Sequence, residues 1–146
     1  MLKDLFSNYI LLAAVAAWLI AQICKFLIVL LATRKVRAER LFGAGGMPSA
    51  HTAMVCSMTI AAARAVGVAS PVFAICFIMA CIVMYDAMGV RRQAGKHAEA
   101  INKIVREEEN EEQFDLLKEK LGHTPLEVLG GALLGILVSM TVGLVM

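Results

Sequence analysis

Charge is scarce in this chain. Of its 146 residues only 18% are Asp, Glu, Lys or Arg, while 60% are hydrophobic. The mean hydropathy is +0.74. A soluble domain of this size has too little interior to hide so much apolar surface, so the composition excludes an ordinary water-soluble globule and indicates a single membrane-embedded domain over 1–146. The formal charge is only +2, and no nucleic-acid partner is expected. Paired cysteines are also missing. Cys24, Cys56, Cys76 and Cys81 all lie inside apolar runs with no C-x-x-C spacing, which reads as small polarizable core residues and implies neither disulfides nor a metal site. No cofactor is expected. A cleavable leader is not expected either. The first apolar run is too long, has no basic leader beyond Lys3, and ends in Arg34-Lys35 instead of a small-residue cleavage site.

Long apolar runs are what the chain has in abundance. A hydrocarbon core of ~30 Å needs about 20 helical residues at ~1.5 Å each. Four runs qualify or nearly so: 9–33, 50–68, 71–88 and 126–146. The second is the shortest and reads as a span or a partly buried helix. It stops at Gly67, and Ser70-Pro71 starts the third almost at once, a tight helical hairpin. Thr124-Pro125 supplies a helix cap followed by proline at the first helical position. The Gly131-x-x-x-Gly135 spacing that follows allows close helix packing in lipid.

Two polar segments, 34–47 and 89–122, join these runs. The first is basic, then glycine-rich. In the second, Ala94, Ala98, Ile101, Ile104 and Val105 recur with the period of an amphipathic helix. The acidic stretch from Glu107 to Glu112 reads as a solvated turn that ends it, and Phe114, Leu117 and Leu121 suggest a second short helix. The expected fold is therefore all-α: a polytopic bundle of about four apolar helices with a cytoplasmic amphipathic helical loop. Eleven of the 14 Lys and Arg residues fall in the two polar segments. With four spans both segments emerge on one side, and the positive-inside rule makes that side cytoplasmic. A site that binds anions would gather cations there as well.

His51 and His123 each stand where a polar segment turns into an apolar run. Titratable groups are costly in hydrocarbon, so two imidazoles at helix mouths ask for a chemical explanation. Both enter from the basic side, where helix N-termini present unpaired N–H groups and a positive dipole end to an anion. Ser49 and Thr124 can cap these helices or donate to the same anion. Arg91, Arg92 and Arg40 can reach the mouth, and guanidinium groups grip phosphate oxygens in bidentate fashion. Glu127, four residues after His123, shares its face once the first turn forms. A carboxylate on one ring nitrogen leaves the other free and more basic, as in nucleophilic or general-base histidines.

Simpler readings stand beside these. Glu127 can be a capping residue, His51 a polar residue at the interface, and Lys25 a cation snorkelling out of the first run. Asp86 can pair with Arg91 or Arg92. His97 is not expected to act in chemistry, and Trp18 and Tyr9 are expected to face lipid or the interface.

The motifs carry a resemblance. Met-Pro-Ser-Ala-His at positions 47–51, followed by His123-x-x-x-Glu127 opening a terminal apolar helix, resembles the type 2 phosphatidic acid phosphatase and vanadium haloperoxidase superfamily. Its signature is Lys-x6-Arg-Pro, then Pro-Ser-Gly-His, then Ser-Arg-x5-His-x3-Asp. Gly-Gly-Met-Pro-Ser-Ala-His-Thr-Ala, Tyr-Asp-Ala-Met-Gly-Val-Arg-Arg and Gly-His-Thr-Pro-Leu-Glu-Val-Leu look like the small divergent branch, over nearly the whole chain. The resemblance implies a metal-independent phosphatase in a bacterial plasma membrane, acting on a phosphorylated lipid. His123 would attack phosphorus and form a phosphohistidine, with Glu127 in place of the orienting aspartate. His51 would protonate the leaving oxygen and later draw a proton from water. Ser49, Arg91, Arg92, Arg40, Lys25 and Thr124 would bind phosphate. Leu116 and Leu117 stand where the third motif has Ser-Arg, so its arginine role would pass to Arg91 or Arg92. Lys-x6-Arg-Pro is absent, and Arg40 or Arg37 with Lys35 or Lys25 replaces it by position only.

The alternatives are a catalytically silent relative that binds anionic lipid or serves as a scaffold, a small transporter subunit, and a metal site from His51, His123, Glu127 and Asp86. Four helices are few to enclose a site, which suggests a homodimer.

Overall fold

The computed structural model describes residues 2–34, 46–107, 115–119 and 121–145. Among them the secondary structure is entirely helical: α1 (Leu2–Phe6), α2 (Tyr9–Thr33), α3 (Ala50–Val66), α4 (Pro71–Met88), α5 (Val90–Glu107) and α6 (Pro125–Val145). The protein is an all-α membrane helical bundle. The helix α2, the continuous stretch from α4 into α5, and α6 are each long and apolar enough to cross a membrane.

Local chemistry sets the ends. Asn8 caps α2 through a bond from the Leu11 N–H at 3.1 Å. At its far end Arg34 turns left-handed and donates to Leu30 O. Ser70 caps α4 by accepting from Phe73 N, with Pro71 in the first turn where a missing N–H costs nothing. The expected 50–68 helix stops at Val66 because Gly67 takes a positive φ of 82°. The last helix starts at Pro125, one residue before the expected 126.

Helix α3 packs against α2, α4 and α6. With 17 residues it spans about 26 Å. It is also the most polar of the bundle helices, carrying Thr52, Ser57 and Thr59 as buried residues. The two facts share a cause: a helix ringed by three others meets little lipid and can carry hydroxyls, provided they are bonded. Ser57 Oγ donates to Ala13 O of α2 at 2.9 Å, and Thr59 Oγ1 reaches Val55 O and, across to α4, Cys76 O. Around these bonds the interior is lined by small residues, among them Ala17, Ala21, Ala50 and Ala53 with Val138. On α6 a Cβ at Gly131 would strike Ser49 O, and one at Gly135 would strike Ala53 O. The glycine pair therefore lets α6 lie against the backbone of α3, which is the close approach its spacing allows.

Cross-links fix which ends lie together. Ser49 N donates to Glu127 O and His123 N to Ala87 O, joining the start of α3, the end of α4 and the start of α6. At the opposite end Tyr9 Oη donates to Ser139 O, and Arg64 donates to Met140 O and Gly143 O. Tyr9, at the first residue of α2, is half-buried with its hydroxyl turned toward α6, where it finds an acceptor. Of the two carbonyls that Arg64 bonds, that of Gly143 is among the last four of α6 and has no helical partner, so Arg64 supplies one. The described residues that flank both polar connections lie at the end that carries the histidines.

The segment after α5 departs from expectation. Residues 115–119 are not helical. The carboxamide of Asn102 on α5 pairs with Leu117 as a neighbouring strand would, accepting from Leu117 N and donating to Leu117 O, both at 2.8 Å. That pairing holds the backbone extended. Phe114 lies outside the described residues, as do 108–113 of the acidic stretch.

Candidate active site

Two helix starts build the site. At the first, Ser49 caps α3 and accepts from Thr52 Oγ1 at 2.8 Å, and His51 follows in the opening turn, solvent-exposed. At the second, Thr124 and Glu127 form a reciprocal capping box on α6. Thr124 N donates to Glu127 Oε2 at 2.9 Å, and Glu127 N donates to Thr124 Oγ1 at 3.3 Å. The same Glu127 Oε2 lies 3.2 Å from His123 Nδ1. The capping and the orienting reading of Glu127 therefore coexist in one carboxylate. The Ser49 N–H to Glu127 carbonyl bond, 3.0 Å, ties the two starts together.

His123 is 6% exposed. Burial pushes its imidazole below the ordinary histidine value. The Glu127 hydrogen bond and charge pull it up, while Lys25 and Arg91 push it down. The ring is therefore neutral at neutral pH. With a carboxylate at Nδ1, the proton sits on that nitrogen and Nε2 carries the lone pair.

Lys25 comes from α2 and is 5% exposed, so it points inward instead of snorkelling. Arg91, Lys25 and His123 all act electrostatically on His51, and Lys25 also feels Glu127. One neighbourhood thus holds Lys25, His51, Arg91, His123 and Glu127, drawn from four helices and one loop. Arg91 Nε bonds Asp86 Oδ2, so Asp86 holds a guanidinium. Arg92 and Thr124 line a groove of about 200 Å³ that also contains His123 and Glu127. Arg40, Arg37 and Lys35 lie outside the described residues. Among those described, no three His, Cys, Asp or Glu side chains converge as a metal site would require.

Three residues hold the site together, of which Gly95 and Asn102 carry no signal of their own in the sequence and Gly122 appears there only as the first residue of a motif. Gly122 has a φ of 75°, and a Cβ there would strike the backbone of Arg91 and Arg92. Glycine therefore lets the chain press onto α5 just before His123. Gly95 on α5 gives way in turn to the carbonyls of Glu119 and Leu121. Asn102 donates to Glu119 Oε1 as well as to Leu117 O. One signal was available: Gly95, Ala98 and Asn102 share a helix face, and that face is the buried one.

A small helical membrane bundle with a His–Glu pair and a second histidine at a shared cationic mouth defines the class. The sequence matches the Divergent PAP2 family over residues 6–138, and the chain belongs to that family. It is 39% identical to "Uncharacterized membrane protein YuiD" of Bacillus subtilis (strain 168), over 94% of this chain and 95% of that protein. No solved structure matches it.

Proposed function

We propose that the protein is a membrane-embedded phosphatase that hydrolyses a lipid phosphate monoester or diphosphate, with its site facing the cytoplasm. The observation that carries this reading is the buried His123, its Nδ1 on Glu127, beside His51, Lys25 and Arg91. In the first step His123 Nε2 attacks phosphorus, the bond from phosphorus to the lipid oxygen breaks, and His51, which takes up a proton when the negatively charged phosphate binds beside it, gives that oxygen its proton. In the second, neutral His51 takes a proton from water as the water oxygen attacks phosphorus. The phosphorus–nitrogen bond breaks, and inorganic phosphate leaves. Glu127 steadies the positive charge that grows on His123 in the first step. Lys25, Arg91, Arg92 and the N–H groups at the start of α3 face the phosphoryl oxygens, where fixed donors stabilise developing charge without metal. A mouth at the bilayer surface suits a substrate whose tails remain in lipid.

The test is phosphate release by purified protein from a panel of phosphatidate, phosphatidylglycerophosphate and polyprenyl diphosphate. Release from at least one, lost in both His123→Ala and His51→Ala, is expected. Release unchanged in a folded His123→Ala protein removes the nucleophile. Release from none, with anionic lipid still bound, favours a silent relative.

A further inference from the structure

We infer that the apolar groove between α4 and α6, floored by α3, is the seat of the hydrocarbon chain of a phosphorylated lipid whose head lies at His51 and His123. This rests on the phosphatase reading for the head but on separate observations for the tail. The groove encloses about 220 Å³ and presents no polar surface. Its one hydroxyl, Thr59, is already bonded to Val55 O and Cys76 O, so nothing in the wall asks for a polar guest.

Position argues as strongly as chemistry. The groove wall on α4 runs from Phe73 to Met84, about 16 Å of helix, close to half of a ~30 Å hydrocarbon core. Met84 lies one turn before the end of α4, where Ala87 O holds His123 N. On α3, Cys56 sits a turn and a half below His51. The groove thus begins just beneath the histidines and descends to the depth of one leaflet. An ordinary lipid lying in the adjacent leaflet has no reason to track its headgroup to that mouth. A phosphorylated one is held there by the cations.

Two native thiols in the wall, Cys56 and Cys81, report occupancy. Full-length wild-type protein in phosphatidylcholine nanodiscs is irradiated with a hydrocarbon-soluble diazirine, whose carbene inserts into S–H bonds and needs no thiolate, and modification of each cysteine is followed by mass spectrometry. The probes are non-hydrolysable phosphonate analogues of phosphatidate and of a polyprenyl phosphate, with diacylglycerol and inorganic phosphate as comparisons. Either phosphonate should slow modification of Cys56 and Cys81 roughly tenfold at about ten times its Kd. Cys24, outside the groove, should be unaffected, and Ile136→Trp, which fills the groove, should remove the protection. Equal protection by diacylglycerol, protection by phosphate alone, or protection by neither phosphonate overturns the inference. Protection without phosphate release from any lipid leaves the groove standing and removes the hydrolase. Release without protection does the reverse.

Discussion

Glu127 shows how much one side chain can do at a helix start. Its Oε2 accepts from Thr124 N and meets His123 Nδ1, while its carbonyl accepts from Ser49 N. Losing the carboxylate charge should therefore misplace the imidazole and remove a pull on its proton. Glu127→Gln is expected to cost on the order of 10²–10⁴ in rate, the usual range for a group that manages a proton. The pH profile separates chemistry from structure. His123 must be neutral to attack, so activity falls on the acid side as the ring protonates. Burial, Lys25 and Arg91 depress its pKa, and Glu127 raises it. Glu127→Gln should thus move the acid limb to lower pH, and Arg91→Gln should move it to higher pH. Rate–pH profiles of the two variants moving in the same direction would contradict the assignment.

Among the elements, α5 and the strand-like stretch beside it set the roof of the site. Asn102 makes three bonds across that contact, to Leu117 N, Leu117 O and Glu119 Oε1. The main chain of Leu117 is thus bonded on both its N–H and its carbonyl by Asn102. Asn102→Ala should release 115–121 from α5, leaving backbone groups that lose about 1–3 kcal/mol each where water does not replace the partner. The expected result is new protease cleavage between 115 and 121 with unchanged helix content by circular dichroism. An uncut variant would show that the two glycine contacts suffice.

The same region shows where sequence reading stops. The helices Tyr9–Thr33 and Pro71–Met88 lie over apolar runs that the sequence interrupts at Arg34-Lys35 and Ser70-Pro71, whereas the Asn8 cap of α2 is seen only in the structure. The amphipathic period of α5 was equally plain, although the helix begins at Val90, straight after Gly89. The stretch after it was misread as helix. Leu117 and Leu121 fit a helical spacing, and only a side chain fifteen residues away decides otherwise. Within the site, the nearness of Glu127 to His123 follows from four-residue spacing on a helix start. The closeness of Lys25 to both histidines does not. It depends on how α2 packs against α3 and α6, a tertiary matter that a local pattern does not encode.

For the whole molecule, the described flanks of the polar connections share one end and Arg64 marks the other. A cytoplasmic mouth predicts that protease added to sealed right-side-out vesicles leaves 35–47 and 108–121 intact and cuts them only after permeabilisation. Cleavage in intact vesicles would place the site outside. The bundle's logic is consistent with chemistry at that end: a central, hydroxyl-bearing helix shielded by three others, small residues that bring α3 and α6 together, and both helix starts opening on the same cationic mouth.

The central claim is that His123 becomes covalently phosphorylated. Rapid acid-free quenching of the protein with a ³²P-labelled lipid phosphate, followed by peptide mapping, tests it directly. An acid-labile, base-stable label is expected on the peptide containing His123, formed within one turnover and missing from His123→Ala. Hydrolysis that proceeds at full rate in that folded variant, with no labelled histidine at any time, would contradict it.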